Sequence, residues 1–197
     1  MTLQQTIESL WNSRDDLTAV MPITDARSAV HEAISLLDSG EVRVAEMNGT
    51  GVEAEVIVHQ WLKQAILLLF RLSDMETSEL GPYEYRDKIP LKHDYASAGV
   101  RVVPGASARW GAHLAPGVVM MPSYVNIGAR VGAETMVDTW ATVGSCAQIG
   151  ERVHLSGGVG IGGVLEPPQA SPVMIGDDTM IGSRCIVADG ARVGAGV

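Results

Sequence analysis

The chain has few cysteines, few aromatic residues and no long apolar run. Its 197 residues include 2 Cys and a single Phe. Cys146 and Cys185 do not have C-x-x-C spacing, so we expect reduced thiols rather than a disulfide framework or a metal site, as in a cytoplasmic protein. The most apolar run, residues 65–70, is far too short to cross a bilayer.

Basic residues are also scarce. The chain has 14 Lys and Arg against 23 Asp and Glu, a formal net charge of −9. Nucleic acid is therefore not expected as a partner, because phosphate contacts require clustered basic side chains. The first residues, MTLQQ, contain no basic segment followed by an apolar one. We predict no signal peptide, no membrane association and a cytoplasmic location.

Helical periodicity is present only in the first half. Apolar residues recur at helical spacing from Leu3 to about Leu17, from Thr24 to Leu37 and from His59 to Leu72, and the third helix is apolar enough to pack centrally. Residues 42–58 contain two β-prone stretches around Asn-Gly, which predicts a β-hairpin. Residues 73–99 are mixed and broken by two prolines, so we interpret them as a connection. The predicted α+β N-terminal domain covers residues 1–98.

The second half has a period of six. Aliphatic residues recur in one register at Val119, Val125, Val131, Val137, Val143, Ile149, Leu155 and Ile161, and again at Ile175, Ile181, Val187 and Val193. A fixed short repeat predicts an all-β solenoid in which each repeat buries one residue, with three hexads per coil. We assign it to residues 99–197, with a first coil in a frame shifted by one residue before Val119.

Small residues mark the remaining repeat positions. Glycine often follows the inward aliphatic residue, and we expect it to relieve crowding where the backbone turns.

Ile161 and Ile175 are 14 residues apart, where 12 would keep the period. The proline-rich segment between them predicts a loop insertion at about residues 164–173, and such loops are often functional, although an inert loop is the default.

Exceptions to the repeat are candidate site residues. Asp138 stands where a small residue is expected, and Ser156 occupies the equivalent position 18 residues later. Asp138 is either a turn residue that bonds its own backbone or a functional carboxylate. Arg101, before the first coil, would bind a substrate carboxylate, pair with a local acid or simply be solvated. His154 is a candidate general base or a structural histidine.

Three segments resemble one family closely. They are MPSYVNIG at 121–128, MVDTWATVGSCAQIG at 136–150 and VHLSGGVGIGGVLEP at 153–167. Further similarity lies at LLDSG (36–40), RVAE (43–46) and HQWLK (59–63). Together these motifs resemble the tetrahydrodipicolinate N-succinyltransferase family of hexapeptide-repeat acyltransferases over nearly the whole chain.

The resemblance implies a left-handed parallel β-helix and an enzyme of lysine and diaminopimelate biosynthesis. Such an enzyme moves the succinyl group of succinyl-CoA to the amine of ring-opened tetrahydrodipicolinate and gives N-succinyl-2-amino-6-oxopimelate. It requires no metal. Family members are homotrimers whose active sites lie between neighbouring β-helices, where the loop near Glu166 would meet the pantetheine arm.

The resemblance also assigns residues. Arg101 and Asp138 match the family's substrate-binding Arg and Asp, so Asp138 would hold the amine or accept its proton. Many relatives carry a catalytic Glu where this chain has Ile186, and Asp189 is a candidate replacement. His154, Ser156 and Glu166 are weaker candidates.

The sequence ends at Val197 inside an open repeat, which predicts a chain truncated at its C-terminal end. An uncapped solenoid end is expected to favour instability or association and weak CoA binding. Two alternatives stay open: a hexapeptide acyltransferase of other specificity, and a truncated, inactive β-helix that acts as a binding module. A metal-dependent hydratase would need several histidines between coils, and the repeats contain only His113 and His154.

Overall fold

The computed structural model describes residues 1–49 and 54–197. Its helices are α1 (Leu3–Asn12), a 3₁₀ turn (Leu17–Ala19), α2 (Ile23–Ser39) and α3 (Gln60–Leu72). The second and third helices are confirmed, whereas the prediction that the first reaches about Leu17 is wrong. Residues 13–16 are all polar, so a longer helix would bury nothing there, and Leu17 joins the core from the 3₁₀ turn instead.

Helix α3 packs against both α1 and α2, as its apolar composition predicted. Two residues of the second half, Ile127 and Cys146, belong to the same buried cluster. The helices therefore pack directly onto the solenoid. The main residues of the shared core are Ile7, Leu10, Ala26, Val30, Ala33, Ile34, Leu37, Leu62, Ala65, Ile66, Leu69, Ile127 and Cys146.

The predicted hairpin is confirmed. Strands β1 (Ala45–Asn48) and β2 (Glu55–Val58) pair antiparallel, with Ala45 opposite Val58. The part of the predicted hairpin at residues 50–53 lies outside the described residues.

A second hairpin occupies the segment interpreted as a connection. Strands β3 (Glu76–Leu80) and β4 (Tyr83–Asp87) pair antiparallel around Gly81. The sequence prediction missed it because nearly every residue of both strands is exposed, so no apolar face alternates with a polar one. The hairpin relies on its turn and on cross-strand pairs such as Leu80 with Tyr83.

The remaining strands form the three faces of a parallel β-helix, each face a five-stranded sheet. Sheet A contains β5 (Arg101–Val102), β8 (Val119–Met120), β11 (Met136–Val137), β14 (His154–Leu155) and β17 (Met180–Ile181). Sheet B contains β6 (Ser107–Ala108), β9 (Tyr124–Val125), β12 (Thr142–Val143), β15 (Gly160–Ile161) and β18 (Ile186–Val187). Sheet C contains β7 (His113–Leu114), β10 (Arg130–Val131), β13 (Gln148–Ile149), β16 (Met174–Ile175) and β19 (Arg192–Val193). The predicted α+β region followed by an all-β solenoid with three hexads per coil is thus confirmed.

The register slip lies one repeat later than predicted. Met120, not Val119, points into the core, since Met120 is fully buried and aligns with Val137. Met120 continues the spacing of Val102, Ala108 and Leu114, and the next inward residue, Val125, follows after only five positions. The sequence could not decide between the two neighbours because both are apolar.

The role expected for the repeat glycines is partly wrong. Left-handed φ angles occur at the third position after the inward residue, often at non-glycine residues such as Trp140 (φ 62°). The glycine directly after the inward residue serves close approach between coils. At Gly132, for example, an added Cβ would collide with the carbonyl oxygen of Gly150 in the next coil.

The segment between β15 and β16 leaves the solenoid at the corner between sheets B and C. Helix α3 holds this segment, because the buried Lys63 donates from Nζ to the carbonyl oxygen of Ala170 over 2.6 Å. Burial lowers the pKa of Lys63 below its ordinary value, and the nearby Cys146 opposes this with a smaller effect that raises the pKa.

The two cysteines are both free and differ in accessibility. Cys146 is fully buried, and burial raises the pKa of its thiol to about 12, whereas Cys185 is exposed. Because the thiolate is the reactive form, we expect a disulfide reagent such as DTNB to modify one thiol per native chain and two in denaturant. In Cys185→Ser the native chain should not react, and rapid reaction of Cys146 there would contradict its placement.

Candidate active site

The outer face of sheet A holds the predicted site residues. Strand pairing aligns Arg101 with Val119, Val119 with Met136, Met136 with His154 and His154 with Met180. These side chains form one outward column, since their inward neighbours fill the core. Arg101 and His154 therefore share one face, three coils apart.

Asp138 and His154 are in contact. Oδ2 of Asp138 lies 3.3 Å from Nε2 of His154, and Oδ1 accepts a hydrogen bond from the backbone N–H of Thr139 over 2.7 Å. This N–H is the largest cause that lowers the pKa of Asp138, and His154 and the Thr139 hydroxyl lower it further. Asp138 thus bonds its own turn, as the first alternative predicted, and its second carboxylate oxygen faces His154, while its functional role stays a prediction.

The geometry also defines the tautomer of His154. A carboxylate only accepts hydrogen bonds, so Nε2 must carry the hydrogen when it bonds Asp138. In the neutral ring the lone pair is then on Nδ1. The pair can therefore hold a cation at Asp138 and accept a proton at His154.

Ser156 occupies the position equivalent to Asp138 in the next coil, as its spacing predicted. The backbone N–H of Asp138 donates to the carbonyl oxygen of Leu155, and that of Ser156 donates in the same way to the carbonyl oxygen of Ile181. Its hydroxyl oxygen is buried and has no hydrogen-bond partner among the described residues. Ser156 therefore lies beside the pair without presenting its hydroxyl to solvent.

Arg101 is exposed and lies two coils from Asp138, roughly 10 Å at the usual strand spacing. Its guanidinium makes no hydrogen bond or ion pair with any residue in 1–49 or 54–197. The alternative that it pairs with a local acid is not what these residues show. The exposed guanidinium fits both remaining alternatives, a solvated Arg and a contact for a ligand that reaches along sheet A.

The two other candidates lie elsewhere. Glu166 belongs to the excursion at the corner between sheets B and C, and Asp189 lies at the same corner, between β18 and β19. Both are exposed. Within one chain the structure therefore separates these carboxylates from the Asp138 pair, which stands at the corner between sheets A and B.

Sequence analysis did not single out two neighbours of the pair. Thr139 bonds Asp138 through both its N–H and its hydroxyl. Trp140 is 77% exposed although it is a large aromatic residue, and it occupies a left-handed corner position. An indole at a position that elsewhere carries Gly, Cys or a charged residue was the available signal.

The described part of the chain contains neither a metal-binding cluster nor a membrane-spanning helix. Residues 1–49 and 54–197 contain no group of three His, Cys, Asp or Glu side chains placed to hold a metal ion. None of the helices described is long and apolar enough to span a membrane.

Comparison with known proteins identifies the family. Residues 2–72 match the family model described as tetrahydrodipicolinate N-succinyltransferase N-terminal. A relative from Methylobacterium sp. (strain 4-46) is 54% identical over 98% of this chain and 70% of its own length. Relatives from Idiomarina loihiensis and Acinetobacter baylyi are 53% and 52% identical over 98% of this chain and 72% of their own.

All three relatives are named 2,3,4,5-tetrahydropyridine-2,6-dicarboxylate N-succinyltransferase. The alignments include both the helical region and the coils that carry Arg101, Asp138 and His154. At more than 50% identity over nearly the whole chain, the chain belongs to the tetrahydrodipicolinate N-succinyltransferase family.

Proposed function

We propose that this protein transfers the succinyl group of succinyl-CoA to the amine of ring-opened tetrahydrodipicolinate, a step of lysine and diaminopimelate biosynthesis. The observation that carries the proposal is the 54% identity to a relative of that name across 98% of the chain. In the reaction the amine nitrogen attacks the thioester carbon and the C–S bond breaks. CoA leaves as a thiol once its sulfur has gained the proton that the amine loses.

Arg101 binds one carboxylate of the acceptor in this proposal. A guanidinium offers two parallel N–H donors to a carboxylate, and that of Arg101 is exposed on the face that carries Asp138. A dicarboxylic acceptor that lies along sheet A can place its carboxylate at Arg101 and its amine at Asp138.

Asp138 holds the amine and His154 receives its proton. The lowered pKa of Asp138 keeps its carboxylate ionised at neutral pH, which favours binding of an ammonium group but makes it a weak base. Nδ1 of His154 carries the lone pair when Nε2 bonds Asp138. This lone pair can receive the proton of the amine, although His154 is the weaker candidate on sequence grounds.

The backbone N–H groups next to the pair are not free to stabilise the tetrahedral oxyanion. The N–H of Asp138 donates to the carbonyl oxygen of Leu155, and the N–H of Thr139 donates to Oδ1 of Asp138. The N–H of Trp140 donates to the carbonyl oxygen of Pro122. A donor for the tetrahedral intermediate therefore has to come from another part of the site.

We further propose that the protein acts as a homotrimer in the cytoplasm. Glu166 and Asp189 share one corner of the prism while Asp138 and His154 stand at another. In a trimer, the corner of one subunit that carries Glu166 and Asp189 can lie against the corner of the next subunit that carries Asp138. The exposed Trp140 at the Asp138 corner supports such a contact, and succinyl-CoA would bind between the subunits.

The direct test is release of CoA thiol from succinyl-CoA, compared with acetyl-CoA, with L-2-aminopimelate as the acceptor. We expect release that depends on the acceptor and favours succinyl-CoA. Preference for acetyl-CoA would instead support a hexapeptide acyltransferase of other specificity. If folded protein releases no thiol even after C-terminal extension with the corresponding segment of a longer relative, the proposed reaction is wrong and a binding module is favoured.

Substitution of Arg101 tests its role in acceptor binding. Loss of a paired, charged hydrogen bond costs about 1.5 to 3 kcal/mol, so Arg101→Ala should raise the KM for the acceptor roughly 10- to 100-fold. The KM for succinyl-CoA should stay within about twofold of the parent value. The KM of Arg101→Lys for the acceptor should lie between that of the parent chain and that of Arg101→Ala. Arg86→Ala, in the exposed hairpin, is the control. Equal changes in both KM values would contradict a carboxylate contact.

A further inference from the structure

A second concave site lies where the N-terminal domain meets the outer face of sheet C. It is a cavity of about 380 Å³ bounded by the C-terminal end of α2, the chain entering β1, the start of α3 and strand β10. Two arginines, Arg43 and Arg130, line it. Its volume suits a small ligand, and it is separate from Asp138, which follows a strand of sheet A.

Arg43 is half-buried and makes one weak polar contact. Its Nε donates to Oε1 of Gln148 over 3.3 Å. The orientation of that amide is determined, because Nε2 of Gln148 donates to the carbonyl oxygen of Cys146 over 3.0 Å. Gln148 itself is buried, so a neutral, fixed oxygen faces one of the five N–H donors of Arg43.

Arg130 stands beside Gln148 in the preceding coil, in register with it. Its Nη1 donates to the carbonyl oxygen of Gly40, the C-cap of α2, over 3.2 Å. A cation is favourable at a helix C-terminus, but this contact uses only one N–H of Arg130, as the contact with Gln148 uses only one N–H of Arg43. Most donors of both guanidinium groups are thus without a protein acceptor among the described residues.

Among the described residues, no carboxylate forms an ion pair with either arginine. Neither has a carboxylate within 4.0 Å in residues 1–49 and 54–197. Glu46, which also lines the cavity, raises the pKa of Arg43 by its charge, but its carboxylate lies 3.0 Å from Nε2 of His59. Glu41, exposed at the rim, accepts a hydrogen bond from the Ser39 hydroxyl over 3.0 Å.

Two more distant carboxylates act on these arginines and are also engaged elsewhere. Glu151 contacts Arg152 over 3.0 Å, and Asp177 accepts from the N–H of Glu151 over 2.8 Å. Burial is the largest cause that lowers the pKa of both Arg43 and Arg130. The charge of Arg130 is the second cause for Arg43, so the two cations repel each other across the cavity.

We propose that this cavity binds a small oxyanion, a carboxylate or phosphate group held between Arg43 and Arg130. Guanidinium groups match the geometry of such anions through paired N–H donors. The bound anion cancels the repulsion of the two cations and supplies the acceptors that the protein does not. It also connects the segment before β1 to sheet C, so occupancy stabilises the packing of the N-terminal domain on the solenoid.

The test uses inorganic phosphate and succinate as separate probes, with sodium chloride at matched ionic strength as the reference. We expect saturable calorimetric binding and a rise in the melting temperature with at least one probe. Arg43→Gln and Arg130→Gln should each weaken that binding about tenfold or more, while Arg27→Gln, a surface arginine of α2, should not. The probe that binds more tightly distinguishes a carboxylate from a phosphate ligand.

A second pair of variants separates binding from folding. Arg43→Lys and Arg130→Lys retain the charge and the stem but lose the paired donors, so a folded Lys variant should bind several-fold more weakly than the parent chain. The proposal is overturned if neither probe exceeds chloride, or if binding persists unchanged in the folded Arg43 and Arg130 variants. Persistence would place the anion at another site, such as the one on sheet A.

Discussion

We expect Asp138→Asn to lower kcat/KM for acyl transfer by about 10²- to 10³-fold, within the range typical of a charged group that acts on the reacting amine. The substitution is chosen because an Asn Oδ1 can still accept the Thr139 N–H that Asp138 accepts over 2.7 Å. The turn is therefore kept while the charge is lost. The measurement is the initial rate of thiol release at varied acceptor concentration.

Glu134→Gln is the matched control, since Glu134 is an exposed carboxylate in the same coil, on the opposite side of β11. Its rate should equal that of the parent chain. If Asp138→Asn retains more than half of the parent activity with an unchanged circular dichroism spectrum, the carboxylate has only a turn-forming role. Loss of the helical or β signal in the circular dichroism spectrum would instead show that the variant loses activity because it does not fold.

The same carboxylate predicts a pH profile. The hydrogen bond from Thr139 lowers the pKa of Asp138 below its ordinary value, so its ionised form persists as the pH falls to the usual Asp range and below it. We therefore expect protonation of Asp138 to cause no loss of rate between pH 8 and 6. The measurement is kcat/KM against pH, and an acidic limb in that range that disappears in Asp138→Asn would contradict the lowered pKa.

We expect Asp38→Ala to lower the free energy of unfolding by about 3 kcal/mol or more, because it leaves a buried charge unpaired. Nζ of Lys92 lies 2.7 Å from Oδ2 of Asp38, and the Lys92 side chain is only 7% exposed. Oδ1 of Asp38 also accepts the N–H of Gly111 in the first coil over 2.8 Å. Urea unfolding should show a lower midpoint with an unchanged m-value.

Lys92→Met completes a double-mutant cycle. An apolar side chain of similar length removes the cation that needs a partner, so Lys92→Met should cost less than Asp38→Ala. The double variant should be more stable than Asp38→Ala alone, which additive effects cannot produce. A loss below about 1 kcal/mol in Asp38→Ala, or strict additivity, would contradict the buried pair.

Much of the fold could be predicted from the sequence because its signals are local. The six-residue spacing from Val125 to Ile161 already specifies one buried residue per short strand, and the structure pairs those strands as expected. The helical stripe of residues 59–72 likewise predicted α3. Local pattern failed where burial does not alternate, as in the exposed hairpin β3–β4, and where two apolar neighbours competed, as at Val119 and Met120.

The candidate site was predictable only as a set of unusual residues. Spacing placed Asp138 and Ser156 in equivalent positions, but it did not show that one presents a carboxylate and the other buries its hydroxyl. Nor did it show that His154 contacts Asp138 in the adjacent coil. Such contacts depend on side-chain direction around a corner, which the repeat pattern does not encode.

The sequence by itself determined the period, the inward residues of most coils and the family, because each follows from residue types at fixed spacing. Only the tertiary structure decided how separate segments meet. Asp38 marked a helix end in the sequence, yet its carboxylate neutralises the buried Lys92 and accepts the N–H of Gly111 across the domain junction. Arg43 and Arg130 are 87 residues apart in the numbering but line one cavity. Long-range packing of the helices on sheet C brings these charges together, and no local pattern specifies it.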